Sequence, residues 1–198
     1  MIDDLTFLEE GRFTQRDNLV KQIAEEIKSN EKNSKIPVFQ AIGRYIRQKL
    51  RTPGELLVIN REFRKRTASE IIQSGYSNGC TDDGLVFVTL ARTLGIPARY
   101  VETLRARWLR GRDILKVQGH IFTDIKIDKD WRTYEPTTGF CPEDKYFLRQ
   151  EEYLVVGKGL DFSQVYEFKN GIFQPQPVDF SDIVNIARQI RKDFYTSS

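Results

Sequence analysis

Apolar residues recur at helical spacing over residues 16–29, where Val20, Ile23, Ala24 and Ile27 share one face and Lys21, Glu25, Glu26 and Lys28 occupy the other. After the polar segment Ser29 to Ser34 the same period returns in Phe39, Ile42, Tyr45, Ile46 and Leu50. Pro37 falls in the first turn of this second helix, a place proline tolerates because its missing N–H would have no partner there. Thr52-Pro53-Gly54 breaks the period, and Leu56 to Ile59 is a short apolar segment whose type the pattern leaves open. Thr67-Ala68-Ser69-Glu70 predicts a capping box, with the Thr67 hydroxyl accepting the Glu70 N–H and the Glu70 carboxylate reaching back. A short helix through Ile71 and Ile72 follows, closed by Gly75.

The next run is different. Leu85, Val86, Phe87, Val88, Leu90, Ala91 and Leu94 cover most of a helical circumference, which predicts a helix buried on several sides. Gly95 and Pro97 end it. The run begins at Cys80, delivered by the small polar loop Ser74-Gly75-Tyr76-Ser77-Asn78-Gly79. Unpaired N–H groups and the helix dipole at such a position stabilise a thiolate.

Beyond Pro97 the period shortens to two. Ala98 to Leu104 reads as a strand, and residues 105–113 as a charged connection containing Gly111. Ile114 to Ile127 alternates through Ile121, Thr123, Ile125 and Ile127, turns at Asp128-Lys129-Asp130, and returns as Trp131 to Thr137. Tyr153 to Val156 and Val165 to Phe168 are further strands around a Gly157-Lys158-Gly159 turn, and Asn170-Gly171 is another turn signal. Gln174-Pro175-Gln176-Pro177 reads as a linker, and Phe180 to Phe194 as a final amphipathic helix. The organisation expected is one domain over residues 1–198. Its helical amino-terminal flank is 1–52, its core 53–170, and 171–198 form a linker and helix.

Charge and cysteine content change the picture little. A net charge of +3 is too small to imply nucleic acid, and no stretch approaches the roughly 18–20 apolar residues of a spanning helix. Met1-Ile2-Asp3-Asp4-Leu5 is acidic and lacks an apolar signal core, so a cytoplasmic location with reduced thiols is expected. That compartment argues against a Cys80–Cys141 disulfide, and Cys141 is expected to pack. Two cysteines and one histidine do not complete a usual zinc site, so neither metal nor cofactor is expected. Two basic stretches, one with Arg61, Arg64, Lys65 and Arg66, the other with Arg105, Arg107, Arg110 and Arg112 around Trp108, read as solvated faces. The second stretch lies between the first strand and the His120 strand, close enough to a site to shape substrate choice.

Cys80 at a helix start, His120 on a strand and Glu135 on the paired strand together make the set that thiol chemistry on acyl groups needs. A thiolate attacks a carbonyl, an imidazole shuttles the proton, and a carboxylate fixes the imidazole tautomer. With a two-residue turn at Asp128-Lys129, Glu135 falls opposite Phe122 and becomes a diagonal neighbour of His120. A three-residue turn puts the pair on opposite faces. The pattern alone permits both registers. The rival expectation for each residue is structural: an inert packed cysteine, a core histidine, a solvated strand end at Glu135, and helix-capping acids at Asp82 and Asp83.

Gly79-Cys80, the helix after it, Leu94-Gly95-Ile96-Pro97-Ala98-Arg99, Gly119-His120, and Trp131 followed by Glu135-Pro136-Thr137 resemble the transglutaminase-like superfamily of papain-like thiol enzymes. The resemblance spans about residues 67 to 139 and implies an α+β fold with a cysteine-bearing helix packed on an antiparallel sheet. It also implies a Cys–His–Asp triad, falling on Cys80, His120 and Glu135, with glutamate in place of the usual aspartate. For the oxyanion, the Cys80 N–H is a donor by position. Tyr76 and Gln73 are side-chain candidates, with Trp108 as a substrate-binding candidate. The activity expected is hydrolysis of an amide bond in a protein or peptide substrate through a thioester. Acyl transfer to an amine is the alternative within the family, and a non-catalytic interaction module the alternative outside it. Oligomeric state is not encoded in any pattern here.

Overall fold

The computed structural model describes residues 3–32, 37–51, 61–111, 116–139, 152–168 and 172–196. A 3₁₀ turn at Asp4–Leu8 leads to helices α1 (Asn18–Lys32) and α2 (Val38–Lys49), with Pro37 as the residue that caps α2. Helix α3 is Ala68–Ser74, and the capping box is present: Thr67 Oγ1 accepts the Glu70 N–H at 3.3 Å and Glu70 Oε2 accepts the Thr67 N–H at 2.7 Å. The central helix α4 is Cys80–Thr93, followed by strand β1 (Ala98–Arg105), the short helix α5 (Ala106–Arg110), and strands β2 (Gly119–Ile127) and β3 (Asp130–Tyr134). Strands β4 (Tyr153–Asp161), β5 (Gln164–Phe168) and β6 (Ile172–Val178) precede the last helix, α6 (Ile183–Thr196).

The strands form one six-stranded sheet in the order β3-β2-β1-β4-β5-β6, every neighbouring pair antiparallel. Helices α1, α2 and α3 pack on α4, and α4 packs on β1 and β2. Residues Thr81 to Arg92 are all buried, which accounts for a run that is apolar nearly all round. Helix and sheet approach closely at Gly84, where a Cβ would come within 2.6 Å of Ile121 Cγ2 and 3.1 Å of Tyr100 Cε2. The α+β architecture implied by the motifs is therefore the one observed, a cysteine-led helix enclosed between three helices and a sheet.

Four sequence expectations are corrected. Gly157-Lys158-Gly159 is not a turn but the middle of β4, which reverses only at Phe162-Ser163. Glycine serves there because a Cβ at Gly157 would lie 2.5 Å from Val165 Cγ1 and 2.9 Å from Phe180 Cε2. Gln174-Pro175-Gln176-Pro177 is not a linker but part of β6, an edge strand, where prolines cost no interior ladder bonds. The connection after β1 folds into α5, because Trp108 and Leu109 bury themselves in the core. The basic stretch around Arg64 is a solvated face only in part: Arg61 and Lys65 are exposed, but Arg64 and Arg66 are buried in ion pairs. Leu56–Ile59, Cys141, Arg112 and Asn170-Gly171 lie outside the described residues.

Candidate active site

The amino end of α4 is fixed by its loop. The Arg51 N–H donates to Gly75 O at 3.0 Å and the Ser77 N–H to Arg51 O at 2.8 Å, so a short bridge from the end of α2 holds the segment that leads into Cys80. Ser77 Oγ accepts the Gly79 N–H at 3.0 Å. Gly79 caps the helix at φ 98°, a backbone conformation that a residue with a Cβ adopts only under strain. Cys80, a free thiol and partly buried, then presents its N–H among the amides that no intrahelical carbonyl can reach.

The turn between β2 and β3 has two residues. Ile127 pairs with Asp130, Thr123 with Tyr134, and Asp128 takes a left-handed φ of 56°. Of the two registers the sequence permits, this one sets Glu135 opposite Phe122 and diagonal to His120. His120 Nε2 lies 3.1 Å from Glu135 Oε1. Cys80 is the ring's other interaction partner, and both residues line the same cleft. Phe122 meets the imidazole edge-on at a centroid distance of 4.8 Å, and Tyr153 stands 6.0 Å away on a tilted plane. Packing thus holds the ring in the orientation that its two partners need.

Electrostatics follow from these contacts. Burial alone would disfavour the His120 cation, but the hydrogen bonds and charges of Cys80 and Glu135 outweigh it and raise the imidazolium to about 9. Glu135 is buried too, which pushes its carboxyl up. His120 and the Thr138 hydrogen bonds overcome that and bring it down to about 2. Two backbone donors complete the carboxylate: Thr137 N–H reaches Oε1 at 3.0 Å and Thr138 N–H reaches Oε2 at 2.7 Å. The longer glutamate is therefore accommodated by the turn after β3, which wraps its own amides around the carboxylate.

The two acids of the first turn of α4 have separate duties. Asp82 accepts the Asn78 N–H at 2.8 Å and is ion-paired with Arg66, so it ties the loop to the helix and faces no substrate. Burial raises its carboxyl, and the Asn78 amide and Arg66 oppose that shift. Asp83 has no such cation among the described residues. Burial lifts it to about 6 despite hydrogen bonds with Ser77 and Thr137, and the charges of Asp82 and Glu135 push the same way. Through Thr137 it touches the turn that holds Glu135.

A cleft of about 460 Å³ opens beside the pair, lined by Cys80, Thr81, Gly119 and His120 together with parts of β1 and α6. Arg64 and Glu102, bonded at 2.6 Å, form part of its wall. Arg64 Nη1 also donates to Phe180 O at 2.7 Å, linking this wall to the segment before α6. Burial raises the Glu102 carboxyl, and Arg64 opposes that shift.

The remaining sequence candidates do not converge on this cleft. Gln73 is exposed on α3. Tyr76 gives its hydroxyl to Glu62 and lays its ring under Arg66, 4.2 Å from the guanidinium carbon. Trp108 is 1 % exposed, within the core, with Arg191 over its ring at 4.7 Å, so it packs in the core and does not line this cleft. Asn78 was not singled out by the sequence. Its side-chain amide is buried two residues before Cys80, and neither its Nδ2 nor its Oδ1 has a hydrogen-bond partner among the described residues. The only available signal was its place in the loop. No group of acids, histidines and cysteines among the described residues could hold a metal ion, and none of their helices is long and apolar enough to cross a membrane.

The family model described as the transglutaminase-like superfamily matches residues 21–136, more than half of the chain. Among solved structures, the fold is similar to that of a candidate cysteine protease from Cytophaga hutchinsonii, with a TM-score of 0.58 and 19% sequence identity. The match covers 82% of this chain and 49% of that one, so the chain spans about half the length of this neighbour. A search of curated proteins returned no match.

Proposed function

The chain belongs to the transglutaminase-like superfamily, and from that premise we propose that it is a cysteine-dependent enzyme that cleaves amide bonds through a thioester on Cys80. The observation that carries this reading is the position of His120, which lines the same cleft as Cys80 and stands 3.1 Å from Glu135 Oε1. A histidine with only a core role has no need of a thiol in the same cleft and a buried, doubly amide-bound carboxylate on its other side.

In the proposed cycle His120 holds the thiol proton on Nδ1, and Glu135 keeps Nε2 protonated and balances the imidazolium charge. The Cys80 sulfur attacks the substrate carbonyl. The oxyanion that forms takes a hydrogen bond from the Cys80 N–H. The Asn78 side-chain amide, buried two residues before Cys80 without a hydrogen-bond partner among the described residues, joins Tyr76 and Gln73 as a candidate side-chain donor. Collapse of the tetrahedral species breaks the C–N bond, and His120 passes its proton to the departing amine. Water then attacks the thioester, giving up a proton to His120, and the acid leaves as the thiol is restored. Hydrolysis is favoured over transfer to an amine because two cations, Lys116 and Arg188, stand in the cleft lining and repel an approaching ammonium group.

The test uses p-nitrophenyl acetate as acyl donor. A burst of nitrophenolate and one acetyl group mapped to Cys80 by mass spectrometry are expected, with neither in Cys80→Ala. Slow release with no burst, or acetylation that ignores His120→Ala, would remove the nucleophile assignment. Adding putrescine to the same reaction separates hydrolysis from transfer, since accumulation of acetylated amine in place of acetate marks a transferase.

A further inference from the structure

The lining of the cleft has an uneven composition. Phe63, Leu104, Val117, Ile121, Ile183 and Val184 provide its apolar wall, and Phe63 and Val184 are each 38% exposed, so the wall reaches the surface uncovered. Its charged members are Arg64, Glu102, Lys116 and Arg188. Arg64 and Glu102 neutralise each other at 2.6 Å with side chains 3% exposed. Lys116 and Arg188 are exposed and have no ion pair among the described residues. A volume near 460 Å³ is within the range of about 300–1,000 Å³ that ligand sites occupy. Taken together, the cleft offers an apolar surface bordered by two unneutralised cations, within the same lining as Cys80 and His120.

We propose that this cleft selects acyl donors in which an apolar side chain is flanked by a carboxylate, as in an acidic peptide, with Lys116 and Arg188 meeting the charge. The proposal rests on the thiol-enzyme reading above and adds to it a substrate class. An apolar group fills the wall formed by β1, β2 and α6, and the carboxylate stays at the exposed rim, where it keeps part of its hydration. A basic group in that place would meet two like charges. The selection is electrostatic and partly solvent-exposed, so it weakens with salt.

Three peptidyl chloromethyl ketones test it, acetyl-Glu-Leu, acetyl-Gln-Leu and acetyl-Lys-Leu, each alkylating the Cys80 sulfur with loss of chloride. The expected order of inactivation rates is Glu, then Gln, then Lys, with about a tenfold gap between Glu and Gln at low salt. In K116Q/R188Q the Glu-to-Gln ratio falls to about 2 or less, and R188E alone brings the Lys probe level with the Gln probe. Because each ratio is measured within one protein, a partial loss of folding does not imitate the effect. Equal rates for Glu and Gln in the unaltered protein, with iodoacetamide still labelling Cys80 rapidly, would overturn the proposal and leave the thiol enzyme standing. A Glu preference that survives K116Q/R188Q overturns the assignment to these two cations. Iodoacetamide labelling of Cys80 no faster than that of an ordinary free thiol would overturn both readings.

Discussion

Two buried carboxylates stand close to the start of α4, and their titrations are shifted in opposite directions. Glu135, at the end of β3, is brought down to about 2, and Asp83, in the first turn of the helix, is lifted to about 6. Both lose hydration, which by itself raises a carboxyl. The difference lies in the donors. Glu135 has an imidazolium and two backbone amides directed at its oxygens, and Asp83 has hydroxyl partners and two anionic neighbours. A buried acid is thus an anchor where the fold supplies cations and amides, and a burden where it does not. The two also differ in what they touch: Glu135 stands 3.1 Å from the His120 ring, and Asp83 meets the turn after β3 through Thr137.

The strongest way to break this contrast is to remove the cation. His120→Ala is expected to slow iodoacetamide labelling of Cys80 by about 100-fold or more at neutral pH, and to raise the Glu135 carboxyl toward its ordinary range. Carboxyl titration followed by NMR reads the second effect. A labelling rate unchanged by the substitution would separate the thiol from the imidazole altogether. The unaltered protein gives a matching profile in pH. The His120 cation is raised above its ordinary value of 6.5 to about 9. Its contribution to stability is therefore complete below about 6.5 and lost as pH rises through about 9, and the His120-dependent part of the labelling rate should fade over that same upper range.

Glu135→Gln sharpens the contrast in stability as well as rate. The depressed carboxyl contributes above about 4.5 and loses its contribution as pH falls toward 2, so the substitution should cost about 2 kcal/mol at pH 7 and little at pH 2. Labelling should slow by about tenfold, less than for loss of the ring. Asp83→Asn should have the opposite sign. A raised carboxyl opposes folding above about 6 and is neutral below about 3.8, so its removal should stabilise by about 1 kcal/mol at pH 7 to 8 and by nothing at pH 3. Urea melts at three pH values measure both lines. Parallel lines for the two variants would show that burial, not donor supply, governs these acids. The smallest effect on this pH contrast belongs to Gly84→Ala, which must push Ile121 or Tyr100 aside and should cost about 1–2 kcal/mol at every pH without altering the pH dependence of either acid.

What could be read beforehand depended on how local the cause was. The capping box at Thr67 and the apolar circumference of α4 are each decided by neighbours in the chain and match the structure. The alternation read from Ile114 to Ile127, by contrast, becomes a strand only from Gly119 among the described residues, with Phe122 and Asp124 buried as well as Ile121, Thr123 and Ile125. The register of the β2–β3 turn was narrowed to two choices, and a left-handed Asp128 decided between them. Long-range causes were hidden. Gly157 and Gly159 look like turn residues until Val165 and the neighbouring strand are placed against them. Arg64 and Arg66 read as a charged surface because nothing in their own segment announces Glu102 and Asp82 as partners. Pro175 and Pro177 suggest a linker unless the strand is known to lie at an edge. The cleft wall supplied by α6 was invisible for the same reason: an amphipathic pattern shows which face is buried, not what it is buried against.

The enclosure of α4 has a consequence for how the protein fails. Residues Thr81 to Arg92 touch helices on one side and the sheet on the other, so no edge of this helix is left to fray independently. Its interior amides should exchange with deuterium only when the whole domain opens. Cys80 begins that helix, and its reactivity is tied to the same all-or-none event. Fast alkylation would then serve as a census of folded molecules, each chain counting as fully competent or not at all.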